Sequence, residues 1–307
     1  MTGMDRSGKR VIAVGIAVMD KIFGIDEMPS EATKVFARSY HEIGGGPAAT
    51  GAVTAARLGA KVELWARVGD DPVGRRIVEE IGEWGVEPVI RHAREGRSGV
   101  SAIAIDGKGE RLIFAFADPK LDSDPSWLPL ERLGEADAVL SDLRWPRAAE
   151  LVLREARRLG VPSVLDADLT TDDIARSLVP LADYAVFSAP ALSRLTGEAE
   201  PLAGLKAAQL LCPGHVGVTV GAGGYRWLEA GVIRHEPGFS VEAIDTLGAG
   251  DVFHGAFALA IAEGRDVAGA ARFANAASAL KCTRSGGRAG IPTRAEVDRL
   301  LLQTEVL

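Results

Sequence analysis

The sequence predicts an α/β protein: a mostly parallel sheet covered by helices on both faces, a three-layer α/β/α sandwich, with a small β-sheet beside it. Three observations carry this. Short apolar runs recur at 11–18, 62–68, 138–142, 162–168, 184–188 and 216–220, and unbroken apolar character reads as strands buried on both faces. Amphipathic segments at 72–84, 146–159 and 202–211 lie between them and are long enough to cross over between parallel strands. Two stretches depart from the pattern. "TKVFARSYHE" (33–42) alternates polar and apolar residues, and "SGVSAIAIDGKGERLIFAF" (98–116) reads as a hairpin turning at Asp106 to Gly109. They form a lid whose strands are inserted at about 20–43 and 97–117 in a single domain of residues 1–307. A few short strands alone are barely stable, so one face of the lid covers a substrate or a second subunit.

Composition narrows the function classes. A chain of 307 residues with 47% hydrophobic content buries a large core, and its 36 glycines are spread along it as tight turns require. The net charge of -7, with basic residues interleaved among acids, argues against nucleic acid, which needs clustered Lys and Arg. Cys212 and Cys282 are too few for a disulfide framework and lack zinc-ligand spacing. The polar start "MTGMDRSGKR" carries no signal peptide, and no apolar stretch is long enough to span a bilayer. The expected location is the cytoplasm.

The stretch "DTLGAGDVFHGAFALAIAEG" (245–264) combines a glycine-rich turn with an apolar helix that begins near Asp251. A helix start leaves amide donors without partners and carries partial positive charge, so Gly248, Ala249 and Gly250 are placed to receive a phosphate. Asp251 in the first turn is then positioned to take a proton from a hydroxyl attacking the same phosphorus. Taken alone, the segment equally fits a favourable first-turn Asp with Thr246 or Asp245 as N-cap. The strand-like "FSVEAID" precedes it.

Together with "GGGPAATGAVTAARLGAKVELWARVGDDPVG" (44–74), this stretch resembles the two signatures of the ribokinase-like (PfkB) carbohydrate kinases, and the likeness spans essentially the whole chain. Neither a Walker A loop nor a Gly-x-Gly-x-x-Gly fingerprint is present. The resemblance implies ATP and Mg²⁺ as cofactors, Asp251 as catalytic base and Gly248, Ala249 and Gly250 as the anion hole. It implies that Asp20 and the run Gly44, Gly45 and Gly46 bind sugar hydroxyls. Asp20 also fits a plain turn carboxylate and the glycines a plain loop. It further implies that Thr219, Gly221 and Gly224 lie under the ATP phosphates and that Asn275 lines the adenine pocket. A β-hairpin turn and a polar helix surface are the respective alternatives. His254 is read as packing behind Asp251 rather than as catalytic.

Within that family, "AVMDKI", "GGGPAAT", "SDLRW" and "KCTRSGGRAGIP" are similar to the sulfofructose kinases, which phosphorylate 6-deoxy-6-sulfofructose at its 1-hydroxyl. An anionic sugar needs cations at the end remote from Asp251, and Lys34 and Arg144 are the residues expected there. Ala115 stands where that branch carries an Asn, so one polar contact to a sulfonate is missing. Ser188 and Ala191 replace the family's Asn-x-x-Glu near the metal, so the magnesium ligands are not assigned. Asp166 or Asp168 is a candidate outer-shell carboxylate, and both equally fit as caps of the loop before "TTDDIA". The resemblance also implies a homodimer paired through the lid. Kinases of fructose, fructose phosphate or 2-keto-3-deoxygluconate are alternatives, as is a non-catalytic sugar sensor.

Overall fold

In the computed structural model the described residues are 8–121 and 123–303. The start of the polar N-terminal stretch, Met1–Ser7, lies outside them. The chain opens with β1 (Arg10–Val14), whose side chains alternate between two cores: Val11 and Ala13 on one face, Ile12 and Val14 on the other. The apolar run 11–18 is not one strand. The chain leaves the main sheet at Gly15, where any side chain would meet the Asp142 carboxylate, and enters the lid as β2 (Val18–Gly24). Next come β3 (Ser39–Gly45), α1 (Pro47–Arg57), β4 (Lys61–Gly69), α2 (Pro72–Glu83) and β5 (Val86–Ala93), an edge strand that the apolar pattern does not announce. Residues 33–38 of the alternating stretch lie outside any strand, and Phe36 there is 82% exposed, so nothing rewards pairing.

β6 (Gly99–Ile105) and β7 (Arg111–Phe116) form the expected hairpin. Its turn is held by the Asp106 carboxylate, which accepts from Lys108 N (2.9 Å) and Glu110 N (3.0 Å), with Gly109 at φ +83°. The four lid strands are ordered β3-β2-β6-β7. The chain then alternates: β8 (Ala138–Asp142), α3 (Pro146–Leu159), β9 (Ser163–Ala167), α4 (Asp172–Leu178), β10 (Tyr184–Ser188), α5 (Ala189–Thr196), α6 (Pro201–Gln209) and β11 (His215–Thr219). β12 (Tyr225–Glu229) and β13 (Val232–Glu236) close the sheet as antiparallel hairpins. Three helices follow: α7 (Ala249–Ala262), α8 (Val267–Cys282) and α9 (Arg294–Gln303).

The large sheet runs β13-β12-β11-β10-β9-β8-β1-β4-β5, parallel from β11 to β5. Helices α1, α2, α7, α8 and α9 pack on one face and α3 to α6 on the other. Strand order reverses direction at β1, between β4 and β8. Chains diverge to opposite faces at such a point and open a crevice beyond the strand ends.

The crevice is filled by the start of α7, a helix apolar on all sides and buried from Val252 to Ala262. Its depth is set where it crosses α1. A Cβ on Gly255 would collide with the Gly51 carbonyl, so these two backbones touch. Phe253 and Phe257, stacked with centroids 5.8 Å apart, fill the space beside the crossing, and each contributes about 1.5–3 kcal/mol by burial. Gly255→Ala is therefore expected to lower unfolding free energy by about 1–3 kcal/mol through overpacking, read from urea denaturation. Unchanged stability would show that the helices can separate freely.

Candidate active site

Residues 245–251 form a partition between two clefts. Leu247, Gly248 and Asp251 face a small cleft, while Thr246, Ala249 and Gly250 face a larger one. The expected strand over 239–245 is absent. This segment is irregular and lines the larger cleft, because its backbone is stitched to the end of α8: Ile244 N and Asp245 N both donate to Cys282 O, at 2.7 and 3.1 Å.

At the turn itself Gly248 adopts φ +73°, a left-handed conformation that favours glycine. Among the described residues, no hydrogen bond occupies the amides of Gly248, Gly250 and Asp251. Ala249 differs from expectation, since its amide is spent on Thr246 O at 3.2 Å. Burial pushes the Asp251 carboxyl up to about 8, helped by the like charges of Asp166, Asp168 and Asp20 and opposed by His254. His254 is nearly inaccessible. Its Nδ1 lies 2.7 Å from Gly250 O and 3.2 Å from Asp166 Oδ2, its Nε2 lies 3.2 Å from Val186 O, and burial lowers its pKa. It thus pins the first turn of α7 to β9 and β10, in keeping with its packing assignment.

Asp20 comes from β2 and lines the small cleft, with its pKa raised by burial. Gly44 and Gly45, at the end of β3, line it too, but the reason for glycine is internal. A Cβ on Gly44 would strike Arg288 and Glu80, and one on Gly45 would strike the Asp20 carboxylate. Gly46 does not line the cleft. It sits at φ +96° as the N-cap of α1, close under Ile16 O. Asp142 fixes this loop: its carboxylate accepts from Ile16 N (2.9 Å), Ala48 N (3.1 Å) and Arg144 N (2.8 Å), joining β8, the end of β1 and the start of α1.

Lys34 and Arg144 are not brought into the small cleft. Lys34 is exposed in the loop between β2 and β3, and Arg144 turns to Asp168, with Nη2 3.6 Å from Oδ2. The two buried cations that do line it, Arg288 and Lys281, escaped the sequence reading. Arg288 is paired with Glu80 and donates to Gly45 O at 2.9 Å; Lys281 is paired with Asp245 at 3.2 Å. The lid also reaches the partition through Arg111, which hydrogen-bonds the Thr246 hydroxyl.

Thr219, Gly221, Gly224 and Asn275 all line the larger cleft. The hairpin alternative for 219–224 holds at the same time, since β11 and β12 pair antiparallel across it. Gly224 at φ +88° lies against the backbone of 236–238. Asn275 is 6% exposed and donates through Nδ2 to Glu236 O and Pro237 O, both at 3.1 Å, so it clamps the cleft wall and presents only its carbonyl oxygen to a ligand. Among the described residues no group of three His, Cys, Asp or Glu is arranged around a metal position. Asp166 nevertheless keeps Oδ1 buried without a partner, beside the half-exposed Asp168. A cation nearby relieves that crowding of carboxylates.

Residues 9–294 match the pfkB family of carbohydrate kinases. The chain belongs to this family. Ribokinase of Bacillus subtilis is 31% identical over 95% of this chain and 99% of its own length. A candidate ribokinase of Agrobacterium tumefaciens superposes with a TM-score of 0.94 at 40% identity, over 98% of this chain and all of its own. Arabidopsis thaliana ribokinase, solved with ribose and ATP, gives 0.81 at 28% identity over 96% and 99%. As a carbohydrate kinase of this family, the protein is a phosphotransferase with the α/β fold and lid foreseen in its sequence.

The raised Asp251 carboxyl has a thermodynamic consequence. The folded chain holds a proton there that the unfolded chain releases near pH 4. This contribution to stability is therefore complete below about pH 4 and lost as pH rises through about 8. Asp251→Asn keeps the neutral form at every pH, so its melting temperature is expected to exceed that of the wild type by a margin that grows from pH 5 to pH 8.5. A margin independent of pH, by differential scanning fluorimetry, would contradict the elevated pKa.

Proposed function

We propose that the protein is an ATP-dependent kinase that phosphorylates a hydroxyl of a small neutral sugar, with ribose the first candidate. One observation carries the reading: the 245–251 turn separates the two clefts, with Asp251 on one side and unpaired amides at the boundary. ATP fits the larger cleft, its phosphates lying along Gly221 and Gly224 towards Gly250. The sugar fits the smaller, with Asp20 accepting from its hydroxyls. Asp251 takes the proton of the attacking hydroxyl, and the amides of Gly250 and Asp251, with the positive end of α7, receive the charge on the phosphoryl group. The lid excludes water that would otherwise hydrolyse ATP.

Mg²⁺ supplies neutralisation of the phosphate charges, and Asp166 and Asp168 are the carboxylates that would face it through water. The cations lining the sugar cleft, Arg288 and Lys281, each have an acidic partner, which supports a neutral substrate. The ribokinase names of the relatives given above point the same way. The likeness to sulfofructose kinases favours a second reading, 6-deoxy-6-sulfofructose. It would require Arg144 to leave Asp168 and Lys34 to approach the cleft.

Steady-state kinetics with ribose, 6-deoxy-6-sulfofructose, fructose, fructose 6-phosphate and 2-keto-3-deoxygluconate separate these readings. The neutral-sugar account expects ribose to give the highest kcat/KM, rising with pH through about 8 as Asp251 ionises. Asp251→Asn should cut kcat by about 10²- to 10⁴-fold while leaving nucleotide binding intact. Preference for the sulfonated sugar would favour the second reading, and near-normal turnover by Asp251→Asn would remove the base.

The lid supports a dimer. Tyr40, Ile113, Phe114 and Phe116 are exposed on it, and β3 and β7 are free edges. A second copy covers such a face. Light scattering is expected to give a dimer for the wild type and a monomer for Phe114→Glu; a monomeric wild type would refute the pairing.

A further inference from the structure

Lys281 stands in the last turn of α8, directly after Ala279 and Leu280, and is 1% exposed. A lysine this deeply buried normally costs stability unless its charge is matched. Its ammonium lies 2.9 Å from the Asp245 carbonyl oxygen and 3.2 Å from Asp245 Oδ2. The same carboxylate accepts from Leu247 N at 2.8 Å through its other oxygen. One residue further on, Cys282 O receives the amides of Ile244 and Asp245. From the preceding turn of α8, Ser278 Oγ donates to Ala249 O at 2.8 Å. The turn that leads into α7 is thus held at both ends by the last turns of α8. Lys281 lines the small cleft and Cys282 the larger, so they stand in the wall the clefts share.

We infer that Lys281 is a positioning residue for phosphoryl transfer: its ammonium acts as a fixed internal cation that locks Asp245 to Gly248 in the form that turns the free amides towards the transferring group. The inference rests on the kinase reading above and adds a residue to it. Without the charge, the Asp245 carbonyl and carboxylate have no cation between them, and two like dipoles face each other at the C-terminal end of α8, where positive charge is favoured. The turn then relaxes and the amides lose their common aim. A filler of the same volume would not prevent this, because charge holds the turn.

The test uses the full chain with Lys281→Met, which retains the buried volume, and Lys281→Ala, which leaves room for a small ion. Lys281→Met is expected to lower kcat by about 10- to 100-fold with the sugar KM nearly unchanged. Amide hydrogen exchange should quicken in 245–251 and stay as in the wild type in β8 and β9. Lys281→Ala should regain turnover when ammonium or potassium chloride replaces choline chloride at equal ionic strength, a response absent from the wild type. If Lys281→Met does not fold, Lys281→Met combined with Asp245→Asn removes both charges and is read by the same exchange and kinetic measures. Wild-type kcat in the Met variant would overturn the inference, as would a uniform rise in exchange with no response of the Ala variant to cations. A wild type inactive on every sugar defeats the kinase reading instead, and exchange in 245–251 then decides the role of Lys281 on its own.

Discussion

The close approach of Gly51 to Gly255 constrains everything built at the site. It lets α7 sink against α1 until its first turn reaches the crevice beyond β1 and β8, where sheet topology opens a space for ligands. An apolar helix driven to that depth carries its unpaired N-terminal amides to the wall between the two clefts, where water or an anion can meet them. Asp251, within the first turn, is caught between that positive end and a surrounding crowd of carboxylates. Burial wins, and its pKa rises. In the proposed kinase reading, the same packing that stabilises the fold also gives Asp251 a proton affinity suited to a base acting on a hydroxyl near neutral pH.

Around this turn, the buried cations are matched in pairs: Arg288 with Glu80 and Lys281 with Asp245. Pairing of this kind gives little net stability when buried. It gives fixed geometry, which a site that must aim backbone amides needs more. The glycine run before α1 fits the same logic. Gly44 and Gly45 are small because the Arg288–Glu80 pair and Asp20 press against them.

Much of this was legible in the sequence. The strands β4, β8, β9, β10 and β11 stand out because both faces are buried and their runs are predominantly apolar, and the 98–116 hairpin announces itself through Asp106 and Gly109. Asp251 and Asp20 line the smaller cleft and the 219–224 loop lines the larger. What failed was whatever depends on distant partners. One apolar run hides a change of sheet at Gly15, since only the Asp142 carboxylate, far along the chain, forbids a side chain there. The sequence reading puts Arg144 beside an anionic sugar, yet its guanidinium turns to Asp168. Lys281 left a readable sign, a lysine at a core-facing position of α8, but its meaning required knowing that Asp245 lies opposite.

The central claim is that one turn passes a phosphoryl group between two clefts, from nucleotide to sugar, with Asp251 drawing off the proton. A crystal structure with ADP, Mg²⁺, aluminium fluoride and the best sugar tests it most directly. The account predicts the fluoride-bearing group seated on the amides of Gly250 and Asp251, with a sugar hydroxyl oxygen between it and the Asp251 carboxylate. A phosphoryl mimic bound away from those amides, with Asp251 touching neither ligand, would contradict it.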